Sequence, residues 1–81
     1  MNQLVYAHEG RLVTDSLRVA EETGKLHKNV LRDIRNLEVS EEFNRLNFEP
    51  VKYRDKKNQE RDKFLITEHG LNFLAMTYSP A

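Results

Sequence analysis

The stretch VAEETGKLHKNVLRDIRNL, Val19–Leu37, decides how this chain folds. Ala20 stands four residues before Gly24, and Val30, Ile34 and Leu37 follow the glycine by six, ten and thirteen residues. That spacing packs two helices across a tight turn. A small Ala20 lets the helices approach, and Gly24 supplies the left-handed conformation that ends the first without a Cβ penalty. At 100° per residue, Leu26, Val30, Ile34 and Leu37 fall within one narrow arc, with Leu31 at its edge. Lys25, Lys28, Arg32 and Arg35 fall in a second arc about 150° away, bordered by Asn29 and Asn36. The second helix, placed within Gly24–Leu37, therefore has an apolar face for the core and a basic ridge opposite.

Moving toward the N-terminus, LVYA and RLVT flank HEG, which predicts a short hairpin with Gly10 in the turn. Thr14 or Asp15 can cap a first helix running to about Thr23, with Leu17, Val19 and Ala20 apolar. Beyond Leu37, Ser40 is a good N-cap, and Glu41 and Glu42 suit the positive end of a helix dipole. A short helix over 40–46 is expected, with Phe43 and Leu46 buried, and Pro50 ends it. EPVKYRD and RDKFLITE then alternate as two strands joined by KKNQ, where Asn58 tolerates a positive φ. Thr67 can cap a last helix, EHGLNFLAMTY, which is apolar nearly all round and is expected to be buried; Ser79-Pro80 stops it.

Length and composition set bounds. Eighty-one residues make one small α+β domain with a thin core, and a second copy of the chain is a candidate partner on that ground. The thirteen basic and thirteen acidic residues cancel, so no global field draws the chain to nucleic acid or to an anionic membrane. The charges are nonetheless segregated. Residues 25–36 hold four bases against Asp33, and residues 52–63 hold six bases against three acids, while 15–22 and 38–49 are acidic. There is no cysteine, which excludes a disulfide framework and suits a cytoplasmic protein. No apolar run approaches membrane-spanning length. His8, His27 and His69 lack metal-ligand spacing, and there is no cysteine nucleophile, G-x-S-x-G or phosphate loop. No enzyme, cofactor or metal is expected, and Asp15-Ser16 reads as a helix start rather than a nucleophile.

Helix, turn, helix and then a two-stranded hairpin is the plan of a winged helix. The Ala20–Gly24–Val30 pattern is similar to the helix–turn–helix of bacterial winged-helix repressors. One departure is Leu26, which stands where many such motifs place a serine or threonine cap. If the second helix reads double-stranded DNA, His27, Lys28, Asn29 and Arg32 are its base-reading candidates. Lys25 and Arg35 then suit phosphates, and Lys56, Lys57 and Arg61 at the hairpin tip suit an adjacent groove or backbone. The bland alternative is a solvated helix face and a lysine-protected sheet edge; Tyr53, Phe64 and Phe73 read as core rather than stacking platforms.

Three ordered motifs go further: HKNVLRDI, the Y-x-D-x-K entry to the hairpin at Tyr53–Lys57, and T-x-x-G-x-x-x-L-A-M from Thr67 to Met76. With them, the chain from about Leu12 to Tyr78 resembles the phage regulatory Rha family. The resemblance implies a phage or prophage regulator working in the cytoplasm of a bacterial host. It implies DNA-binding transcriptional regulation or, alternatively, an antirepressor that binds a repressor or host protein through the acidic segments. It further implies a short member, natural or truncated, without the C-terminal antirepressor-type domain of some relatives.

Overall fold

The chain runs β1 (Tyr6–His8), β2 (Arg11–Asp15), α1 (Ser16–Thr23), α2 (His27–Arg35), α3 (Glu41–Asn47), β3 (Phe48–Arg54), β4 (Glu60–Thr67) and α4 (Glu68–Tyr78) in a computed structural model that describes residues 5–78. The four strands form one antiparallel sheet in the order β1-β2-β4-β3. Thr14, Ile66 and Phe48 lie side by side across it, all buried. The helices close over that row: Val19 and Ala20 of α1, Val30 and Ile34 of α2, and Leu74 of α4 complete the core with Phe48 and Ile66.

Local chemistry explains most boundaries. Glu9 and Gly10, both at positive φ, form the two-residue turn between β1 and β2. Asp15 caps α1 by accepting the Arg18 N–H at 2.9 Å. Gly24, at φ +74°, ends that helix with its N–H on the Ala20 carbonyl. Ser40 accepts the Phe43 N–H at 3.0 Å to start α3, and Thr67 accepts the Gly70 N–H at 3.2 Å to start α4. Gly70 is obligatory for packing, since a Cβ there would meet the Asn47 carbonyl oxygen at 2.9 Å. Pro50 does not break β3, because β3 is an edge strand. Between β3 and β4, Asp55 Oδ1 accepts the Lys57 and Gln59 N–H groups, and Asn58 takes φ +61°.

Several expectations need correction. α2 spans His27–Arg35, inside the expected Gly24–Leu37, but Leu26 is 62% exposed instead of joining the core arc. Leu26 is the residue before the helix, with extended backbone, so helical periodicity does not govern its direction. Leu46 is 57% exposed, because the inner side of α3 is Phe43 with Asn47; Phe43 packs on Phe73 at 5.6 Å and Asn47 bonds the Phe43 carbonyl and the Thr67 hydroxyl. α4 is one-sided rather than buried all round: Gly70 and Leu74 are buried, Ala75 and Met76 face solvent. Its apolar sequence exceeds what the sheet and α3 cover. The hairpin strands begin and end one residue earlier than expected. Leu4 of the first predicted strand and the Ser79-Pro80 stop lie outside the described residues.

Candidate functional site

β2 pairs only with residues 65–67 of β4, so the outer half of the β3–β4 hairpin extends past the sheet with no strand beside it. α2 runs along that side. Between them lies an open cleft of about 670 Å³. Its helix wall carries His27, Lys28, Leu31 and Arg35; its hairpin wall carries Tyr53, Asp55, Glu60, Arg61 and Asp62. The two walls are chemically unlike. The helix wall is basic above an apolar floor, and the hairpin wall interleaves acids with Arg61.

A hydrogen-bonded cluster fixes one end of the cleft. Ser16 is fully buried, and its Oγ accepts the Phe64 N–H at 3.0 Å while meeting His27 Nε2 at 2.9 Å. Next to it, Asp15 Oδ2 accepts the Tyr6 hydroxyl at 2.7 Å and the Lys63 ammonium at 3.2 Å. Lys63 Nζ stands 5.6 Å from the Tyr53 ring centre, and that ring meets His27 edge-on at 6.4 Å. Burial pushes the Asp15 carboxyl up, but the Arg18 N–H, the Tyr6 hydroxyl and Lys63 together bring it below its ordinary value. The same neighbours act inversely on Tyr6, where burial and then the Asp15 carboxylate raise the phenol to about 12. His27 is held below its ordinary value, first by burial and further by Lys63, against the pull of Asp15.

The residues singled out in the sequence divide into groups. Lys28, Arg35, Arg61 and His27 share the cleft. Lys28 is exposed and has no ion pair among the described residues. Arg35 lies 5.8 Å over the Phe64 ring. Arg32 is exposed beside the cleft, with Asp33 at 3.8 Å. Asn29 is half-buried and does not line the cleft. Lys25 also lies outside the cleft lining, 4.5 Å over the Tyr78 ring, whose hydroxyl donates to Asp33 at 2.9 Å. Lys56 and Lys57 sit exposed at the hairpin tip. Arg61 is taken up by Asp55 at 3.0 Å, and the Gln59 N–H and that guanidinium hold the Asp55 carboxyl below its ordinary value. His27 points inward to Ser16 instead of outward.

Tyr53, Leu31, Ser16 and Lys63 line or brace the cleft without having been singled out for it. Tyr53 reads in the sequence as a core alternation, and Ser16 and His27, eleven positions apart, lie on different helices with a turn between, so no single period links them. Asp15 was legible as a cap, but nothing local foretold Lys63, forty-eight residues away, as its counterion. Among the described residues no group of three His, Cys, Asp or Glu could hold a metal ion, and no helix is long and apolar enough to cross a membrane.

Comparison with known proteins places the chain in a family. Residues 14–81 match the family model described as phage regulatory protein Rha. An uncharacterized protein of Haemophilus influenzae (strain ATCC 51907 / DSM 11121 / KW20 / Rd) is 37% identical over 71 residues, covering 84% of this chain and 41% of its own. An uncharacterized 22.8 kDa protein in the gp15-gp3 intergenic region of Salmonella phage P22 is 48% identical over 46 residues, covering 57% of this chain and 23% of its own. The chain thus spans less than half the length of either relative. No solved structure matches it.

Proposed function

The chain belongs to the phage regulatory protein Rha family, and from that premise we propose that it binds double-stranded DNA as a regulator, in the manner of a winged helix. α1 and α2 act as the helix–turn–helix and the β3–β4 hairpin acts as the wing. One observation carries the reading: Lys28, Arg32 and Arg35 project along one side of α2 next to the hairpin, with only Asp33 set against them on that helix. Asp33 is itself engaged by Tyr78. Lys28 and Arg32 are the base-edge candidates, and Arg35, Lys56 and Lys57 suit phosphates. Arg61 reaches DNA only by giving up Asp55. Asn29, half-buried, reads a base only from the margin of the helix, and Lys25 touches backbone only at the far end of a contact. The acids on the hairpin wall repel phosphate, so the duplex rides on the ridge and hairpin tip instead of entering the cleft. A gel shift with phage operator-region DNA tests this: Lys28→Ala with Arg32→Ala abolishes the shift while the far-UV circular dichroism spectrum is unchanged. A shift equal to that of the parent protein counts against it.

The acid-bearing hairpin wall and the exposed Glu41 and Glu42 of α3 favour a second reading, an antirepressor that binds a repressor or host protein. Co-purification of such a protein at high salt, lost on Glu41→Lys with Glu42→Lys, distinguishes it. Light scattering tests whether a homodimer forms in either case.

A further inference from the structure

We propose that His27 is the positioning residue that sets α2 against the hairpin, and that it does so only as a neutral imidazole. The inference rests on the reading that the α2 ridge meets DNA, but its structural half stands without DNA. His27 is the first residue of α2, and no side chain caps that helix, so its start is held from the imidazole side. The imidazole joins three elements: Ser16 at the β2–α1 junction through Nε2, Phe64 of β4 through the shared Ser16 hydroxyl, and Tyr53 of β3 through ring contact.

The proton count decides the charge state. The Phe64 N–H already donates to Ser16 Oγ, so the Ser16 hydroxyl has its own proton to place. Ser16 is fully buried, and among the described residues the only acceptor paired with that hydroxyl is His27 Nε2. The Ser16 hydroxyl proton and the Nε2 lone pair satisfy each other when the imidazole keeps its proton on Nδ1. A second ring proton on Nε2 would face the hydroxyl proton and leave it without an acceptor in a sealed site. The charges facing the ring agree. Asp15 favours an imidazolium, but its carboxylate is already bonded to Tyr6 and Lys63. Lys63 from β4, with Lys28 and Arg35 from α2 and Arg61 across the cleft, opposes it. Asp55, Glu60 and Asp62 stand on the far wall, the first and last committed to Arg61 and Lys52. Acidification therefore breaks the Ser16 bond, and the ring leaves its seat between Ser16 and Tyr53.

This runs against simple electrostatics, in which an added positive charge near the ridge tightens DNA binding. The test uses the intact chain and a fluorescein-labelled 20-base-pair duplex at constant ionic strength, from pH 7.5 to 5.5. Wild-type affinity falls severalfold over that span, because only the protein with the ring seated is competent to bind. His27→Gln, whose amide reaches the Nε2 position without titrating, keeps the pH 7.5 affinity and loses the fall; His8 and His69 are present in both proteins. In parallel, proton–nitrogen and aromatic proton–carbon NMR of the DNA-free wild type shows the His27 ring, the Phe64 amide and the Tyr53 ring shifting along one titration curve that His27→Gln lacks. If that coupled titration occurs and no duplex binds at any pH, the positioning role holds and the DNA reading fails. If His27 titrates while Phe64 and Tyr53 stay still, or if affinity rises equally on acidification in both proteins, the proposal is overturned.

Discussion

Asp15→Asn should cost about 3 kcal/mol of folding stability, a large share of the roughly 4–12 kcal/mol expected for a chain of this length. The amide keeps one oxygen for the Arg18 N–H, so the α1 cap survives. In place of Oδ2 it sets an NH2 group against two donors, the Tyr6 hydroxyl and the Lys63 ammonium. Hydrogen bonds to a charged group contribute roughly 1.5–3 kcal/mol each, and breaking a buried pair from one side costs roughly 3–5 kcal/mol. The Asp15 side chain is 5% exposed and that of Lys63 is 18%, so the lysine stem can carry part of its charge toward water, which sets the estimate at the low end. Urea unfolding followed by circular dichroism measures the difference, and the midpoint temperature should fall by about 12–24 °C. Adding Lys63→Met should restore at least half of the loss by removing the unpaired cation. The pH dependence has a definite sign. The folded carboxyl lies below its ordinary 3.8, so its stabilisation is present above that value and is lost as pH falls through the folded value. The two proteins should therefore converge in acid. A cost under about 1 kcal/mol at pH 7 would show that the cluster contributes little.

Other outcomes follow from single side chains. Thr14 is fully buried and its hydroxyl has no partner among the described residues, so Thr14→Val should stabilise the fold by about 1 kcal/mol, read from the urea midpoint; destabilisation would mean the hydroxyl is bonded. Leu26 occupies the N-cap of α2 without a capping bond and is largely exposed, so Leu26→Ser should add about 1 kcal/mol by the same measurement. A neutral or negative effect would mean that Leu26 packs against something in solution.

How much of this was legible in the chain depended on how local the cause was. The α1–α2 turn, the Asp15, Ser40 and Thr67 caps and the Asn58 turn each follow from residues within a few positions of one another. Leu26 and Leu46 depart from expectation because apolar type alone does not decide burial; a residue at a helix boundary, or in a helix of seven residues, answers to cap geometry and neighbours instead. The basic ridge was legible from period alone, since Lys28, Arg32 and Arg35 recur at helical spacing. The inward turn of His27 was not, because it depends on where Ser16 and Tyr53 arrive in space. The acid wall of the cleft was visible as three acids among six bases, but its placement opposite Arg35 needed the hairpin register.

The salt dependence of duplex binding probes the α2 ridge and hairpin tip most directly. Three cations are assigned to phosphates: Arg35, Lys56 and Lys57. Released counterions then give a slope of log affinity against log salt of about −3. Lys56→Ala with Lys57→Ala should reduce its magnitude by about 2 without altering the fold. A slope near zero for the parent protein, or one unchanged by removing the two tip lysines, would contradict a DNA-facing ridge and wing.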